Sequence, residues 1–134
     1  ADRARDEEPE DGVQIFVTDG PTELGLWYRL APVTFIGGTL SGGAIQSPLE
    51  AAALGSAIVH GPATGVHEAA FSRLAAARAA RRVSDGAALA DAVADLIAPD
   101  RAAQLAHNAW AVSSAGAEVT ARLRQMILDR IKEV

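Results

Sequence analysis

The sequence predicts an α/β fold built on a parallel sheet, and three observations carry that expectation. Short apolar runs alternate with helically spaced segments from Val13 to Val83, the order produced when parallel strands are joined by crossover helices. The runs are continuous rather than alternating in polarity, as in strands buried on both faces. Hydrophobic residues make up 49% of the chain but aromatics only 4%, which suits alanine-rich helices packed on a sheet better than a β-sandwich.

The chain has 134 residues, the size of one domain. There are no cysteines, which excludes disulfides, thiolate zinc sites and cysteine nucleophiles. The net charge of −5 argues against a nucleic-acid partner, because polyanion binders are usually basic. No apolar run approaches the roughly 20 residues of a membrane span, and the charged first residues do not resemble a signal peptide. The chain is therefore expected to be soluble. None of His60, His67 and His107 pairs with another ligand at helical spacing, so no metal is expected, and no cofactor is expected either.

Residues 1–12 are charged and lack an apolar anchor, so they are expected to form a flexible arm, with the folded domain spanning 13–134. Val13, Ile15, Phe16 and Val17 read as a first strand. Helical spacing follows from Thr22 to Leu30, with Thr22 as N-cap and Pro32 beyond the end. Val33 to Ile36 is a second strand, which breaks into the turn Gly37–Gly43. Ser47-Pro48 opens a helix that stops at Gly55, because Ser caps well and Pro suits the first turn. Ala57 to Val59 is a third strand, ended by Gly61-Pro62.

A helix is expected over about 66–80, and Arg82-Val83 as a brief edge strand. Ser84 or Asp85 caps a helix over about 87–97. A further helix runs from Asp100 to about Ser113. The last helix, from about Ala117, sets Val119, Leu123, Met126, Ile127 and Val134 on one stripe.

The segment Phe35 to Pro62 carries the chemistry. A strand running into glycines and then a capped helix lets backbone approach a ligand closely and presents N–H groups to an anion such as phosphate. In an open α/β sheet such a site lies at the carboxyl ends of the strands. Glu50, in the first helical turn, is placed to accept hydrogen bonds from ribose hydroxyls. The same features also serve as ordinary turn chemistry and favourable helix electrostatics. The turn is neither a Walker loop nor a GxGxxG fingerprint. Gly38-Thr39-Leu40-Ser41-Gly42 sets its serine one place late for a nucleophile elbow.

The blocks Asp19-x-x-x-Glu23-Leu24, Phe35-Ile36-Gly37-Gly38-Thr39-Leu40, Pro48-Leu49-Glu50-Ala51-Ala52 and Gly61-Pro62, in that order, resemble the carboxyl-terminal domain of Kdo (3-deoxy-D-manno-octulosonic acid) transferases. That family has the GT-B architecture of two Rossmann-like domains facing a cleft. The resemblance implies a Rossmann-like three-layer sheet that binds the donor CMP-Kdo, and no catalytic residue within this chain. It implies that Gly37, Gly38 and Thr39 approach the nucleotide, that Glu50 takes its ribose, that Gly61 and Pro62 shape the far wall, and that Leu40 and Ser47 belong to the same nucleotide-sugar site. An amino-terminal domain would hold the general base and the acceptor, a lipid A precursor, at the cytoplasmic face of the bacterial inner membrane.

The sequence departs from the family pattern at Ala44-Ile45, Gln46-Ser47 and Val66-His67, where the family has Gly-Gly, His-Asn and Asn-Phe. Another GT-B transferase using a UDP- or GDP-sugar, and a non-catalytic interaction domain with a degenerate site, therefore remain as alternatives. The resemblance also implies that the domain's first βα units precede residue 1. The isolated chain is then expected to complete its sheet by rearrangement or by forming a homodimer.

Overall fold

A computed structural model describes residues 1–133, the side chain of residue 117 excepted. Eight elements follow a short 3-10 turn at Arg3–Arg5: α1 (Leu24–Leu30), β1 (Val33–Phe35), α2 (Pro48–Ala53), β2 (Ala57–His60), α3 (Glu68–Ala76), β3 (Ala80–Arg82), α4 (Gly86–Leu96) and α5 (Pro99–Lys132). Further 3-10 turns lead into α1 and α3. The strands form one parallel sheet in the order β1-β2-β3, with Val33 opposite Ala57 and Ile58 opposite Ala80.

The two faces of the sheet bury different cores, and together they make three layers. Ile58 points to a cluster with Tyr28, Ala51, Phe71, Leu74 and Ala109, covered by α1, α2, α3 and the middle of α5. Its neighbour Val59 points the other way, to Val83, Ala92 and Leu96 under α4. This division follows from the two-residue period of a strand. All four residues of β2 are buried, as a central parallel strand requires. The α/β, Rossmann-like expectation therefore holds.

The local signals explain several boundaries. Asp85 caps α4 by accepting a hydrogen bond from the Ala88 N–H at 2.8 Å. Gly55, at φ +88°, ends the turn after α2 in the left-handed region. Asp95 on α4 takes Arg81 of β3 at 2.6 Å and Arg101 of α5, tying three elements together.

Three expectations are corrected. Residues 13–17 form no strand of the sheet. Val17 makes one parallel bridge to Asp2, and Val13, Ile15 and Val17 are exposed while Phe16 packs on Trp27. An apolar run becomes a strand only where a neighbour accepts its hydrogen bonds. Here β1 has β2 as its sole sheet neighbour among the described residues.

The helix expected over 66–80 ends at Ala76, and Arg78 turns the chain at φ +52° into an edge strand that starts at Ala80. The two helices expected after Pro99 are one, Pro99–Lys132, because no proline interrupts Ser113 to Gly116 and a lone glycine is tolerated in a helix. Val134, assigned to the final stripe, lies outside the described residues. Among them, no helix is long and apolar enough to cross a membrane.

Candidate functional site

The glycine turn leaves β1 at the carboxyl edge of the sheet, and the segment after β2 leaves beside it. Thr39 joins the two. Its side chain is fully buried, donates to the Ile36 carbonyl at 2.6 Å and accepts from the Gly61 N–H at 2.8 Å. The Thr39 carbonyl in turn accepts from the Ala63 N–H at 3.0 Å. A hydroxyl is suited to this place because it both donates and accepts. Thr39 is thus a clamp between two loops, with its hydroxyl donor committed to the fold.

The glycines divide into two kinds. Gly61 is packed so closely on Thr39 that a Cβ there would collide with the Thr39 carbonyl. Gly38 adopts φ +81°, and a Cβ would lie 2.5 Å from the Ala44 carbonyl oxygen. Both are required by backbone lying on backbone. Gly37 differs: it is exposed, its φ is not left-handed, and a Cβ would meet nothing within 4 Å. It is the glycine of this set whose missing side chain leaves open space beside the turn. Leu40 lies partly buried on the α4 side of the core.

The α2 start has the expected form. Ser47 accepts from the Leu49 N–H at 3.3 Å, and Pro48 occupies the first helical position. Pro48 has no N–H and the Leu49 N–H is used by the cap, so this six-residue helix offers an anion few amides of its own. Glu50 stands exposed one residue further on. Its charge reaches the buried Tyr28, whose phenol is pushed above its usual range first by burial and then by Glu50. The Tyr28–Glu50 proximity was not foreseen in the sequence. Pro62 is exposed at the end of the same edge.

His60 closes β2 next to this site. Its Nδ1–H donates to the Gly61 carbonyl at 2.7 Å, and its ring packs on Phe71 with centroids 4.4 Å apart. Burial pushes its pKa below the usual histidine value, the carbonyl bond opposes that, and Arg82 adds to the lowering. A cavity of about 260 Å³ opens here between His60, Pro62, Thr64, Glu68, Ser72 and Arg82. No residue of the glycine turn lines it. Among the described residues, no group of three His, Cys, Asp or Glu side chains converges as a metal site.

Parallel strands with helices on both faces, and loops gathered at the strands' carboxyl ends, define the class: a Rossmann-like domain. No family model matches the sequence. Among solved structures the chain is similar to the C-terminal CMP-Kdo binding domain of WaaA from Acinetobacter baumannii, with a TM-score of 0.77 and 27% sequence identity over 84% of this chain. The chain is a Kdo-transferase-like carboxyl-terminal domain. It spans 59% of the length of that structure's chain.

Proposed function

We propose that this domain binds the donor of a Kdo transferase, holding the CMP part of CMP-Kdo at the carboxyl edge of its sheet. The observation that carries the reading is the contrast among the glycines. Gly38 and Gly61 are explained by packing, whereas Gly37 is left open to the outside beside an exposed Glu50. In this reading the amides of the turn at Gly37 and Gly38 meet the nucleotide phosphate, the buried Thr39 holds the turn in place from beneath, and Glu50 accepts from the ribose hydroxyls. Ser47 fixes the start of α2 so that Glu50 is presented, and Leu40, Gly61 and Pro62 form the wall. The 27% identity to a CMP-Kdo binding domain supports the choice of donor.

The domain contributes donor binding alone. The general base and the acceptor, a lipid A precursor, belong to an amino-terminal domain of the whole protein, which works at the cytoplasmic face of the inner membrane.

The test is a titration of isotopically labelled protein with CMP, UMP, GMP and AMP, followed by amide shifts. Shifts at residues 37–39 and 47–50, strongest with CMP, are expected. Stronger shifts with UMP or GMP would replace the donor by another nucleotide sugar. No shift with any nucleotide would overturn the reading in favour of an interaction domain with a lost site.

A further inference from the structure

The chain carries a net charge of −5, yet one cavity gathers three arginines. It has a volume of about 480 Å³ and opens at the amino end of the outer strand β3, between the end of α4 and the first turns of α5. Arg78, Arg81 and Arg101 line it around an apolar floor of Leu96 and Leu105. Among the described residues, Asp95 is the one carboxylate in its wall. The donor site proposed above lies at the opposite, carboxyl edge of the sheet. A domain that closes over the donor would come from that edge and leave this cavity uncovered.

We propose that this cavity binds a phosphate group. Two features prepare it. The first is Asp95, which accepts a hydrogen bond from Arg81 at 2.6 Å and pairs with Arg101 as well. One carboxylate thus sets two guanidiniums side by side. Each keeps donors that Asp95 does not use, because a guanidinium has five N–H groups. Three positive charges against one negative leave the lining an excess of two for an anion.

The second feature is Arg78. It stands at φ +52°, a conformation that glycine or asparagine adopts more readily. Asn108 holds it there by donating to its carbonyl at 3.2 Å, and Asn108 itself accepts from Gln104 at 3.2 Å. Arg78 has no ion-pair partner among the described residues. A long cation, unpaired and held at a turn position that suits glycine, is accounted for by a ligand that uses its charge. Guanidinium forks match phosphate oxygens two at a time, and the apolar floor suits the stem that carries the phosphate. That phosphate comes on a soluble molecule or on a lipid headgroup.

The proposal is independent of donor binding, and its test reads other residues. Labelled protein is titrated with inorganic phosphate and with pyrophosphate. Amides at 78–82 and 101–108 should shift with a Kd of roughly 0.1–10 mM, and sodium chloride at equal ionic strength should not reproduce the shifts. Arg78→Asn keeps a residue suited to the left-handed turn, so the urea midpoint should stay unchanged while phosphate binding falls roughly tenfold. Arg101→Gln should weaken binding as well. Cosedimentation with phosphatidylcholine vesicles that contain phosphatidylglycerol, lost in Arg78→Asn, assigns the phosphate to a lipid headgroup. Phosphate binding without cosedimentation assigns it to a soluble molecule. No shift at these residues with either probe, or binding that survives Arg78→Asn undiminished, overturns the site.

Discussion

Gly37 and Gly61 stand at the same carboxyl edge, yet a methyl group should do opposite things to them. At Gly61 it would be driven into the Thr39 backbone, whose carbonyl accepts from Ala63 and whose side-chain hydroxyl is bonded to Gly61, so that it has little freedom to yield. Gly61→Ala is expected to destabilise the domain by roughly 1–3 kcal/mol, as overpacking does, read as a lower urea midpoint. At Gly37 the methyl meets open space, and the backbone is already in a region that alanine adopts. Gly37→Ala should leave the urea midpoint unchanged and weaken CMP binding tenfold or so, about 1.4 kcal/mol. Unchanged binding in Gly37→Ala would remove the turn from the donor site. From sequence both glycines belong to the expected site, Gly37 as an approach to the nucleotide and Gly61 as its far wall, because nothing in a sequence tells a glycine packed on a distant backbone from one facing solvent.

Elements were legible where a local chemical signal ended them. Ser47-Pro48 opens α2 and Asp85 caps α4 as their side chains dictate. The failures share a cause: the deciding interaction was not local. Val13 to Val17 has strand composition but no sheet partner, and the end of α3 depends on Arg78 entering the left-handed region, which no glycine announces. Ser113 to Gly116 looked like a break, yet Gly116 sits inside α5, where Thr120 donates to its carbonyl at 3.1 Å. If Gly116 is only a weak helical residue, Gly116→Ala should stabilise by about 0.5–1 kcal/mol. A Cβ there would meet the Arg73 guanidinium at an ordinary 3.5 Å. Slower amide exchange on both sides of residue 116 is the readout. A loss of stability instead would mean that Arg73 needs the glycine, since that guanidinium also donates to the Val112 carbonyl at 3.2 Å.

At the scale of the whole molecule, stability rests on β2, the strand buried on both faces, and two titratable groups make that stability depend on pH. His60 ends β2 and packs on α3, with its pKa held below the ordinary 6.5 mainly by burial. The unfolded chain therefore takes up a proton at this residue before the folded one does. Stability is full above about pH 6.5 and is lost as pH falls through the lower folded value. Tyr28 bounds the other side: its folded pKa is raised from 10.0, so its contribution is present below that value and is lost as pH rises through the folded one. The melting temperature should form a plateau between these limits. His60→Met, which keeps bulk against Phe71 but loses the bond to the Gly61 carbonyl, should lower the plateau and flatten its decline below about pH 6.5. If the variant declines there as steeply as the parent chain, some other group carries the acid sensitivity, and burial of His60 does not couple protonation to the fold.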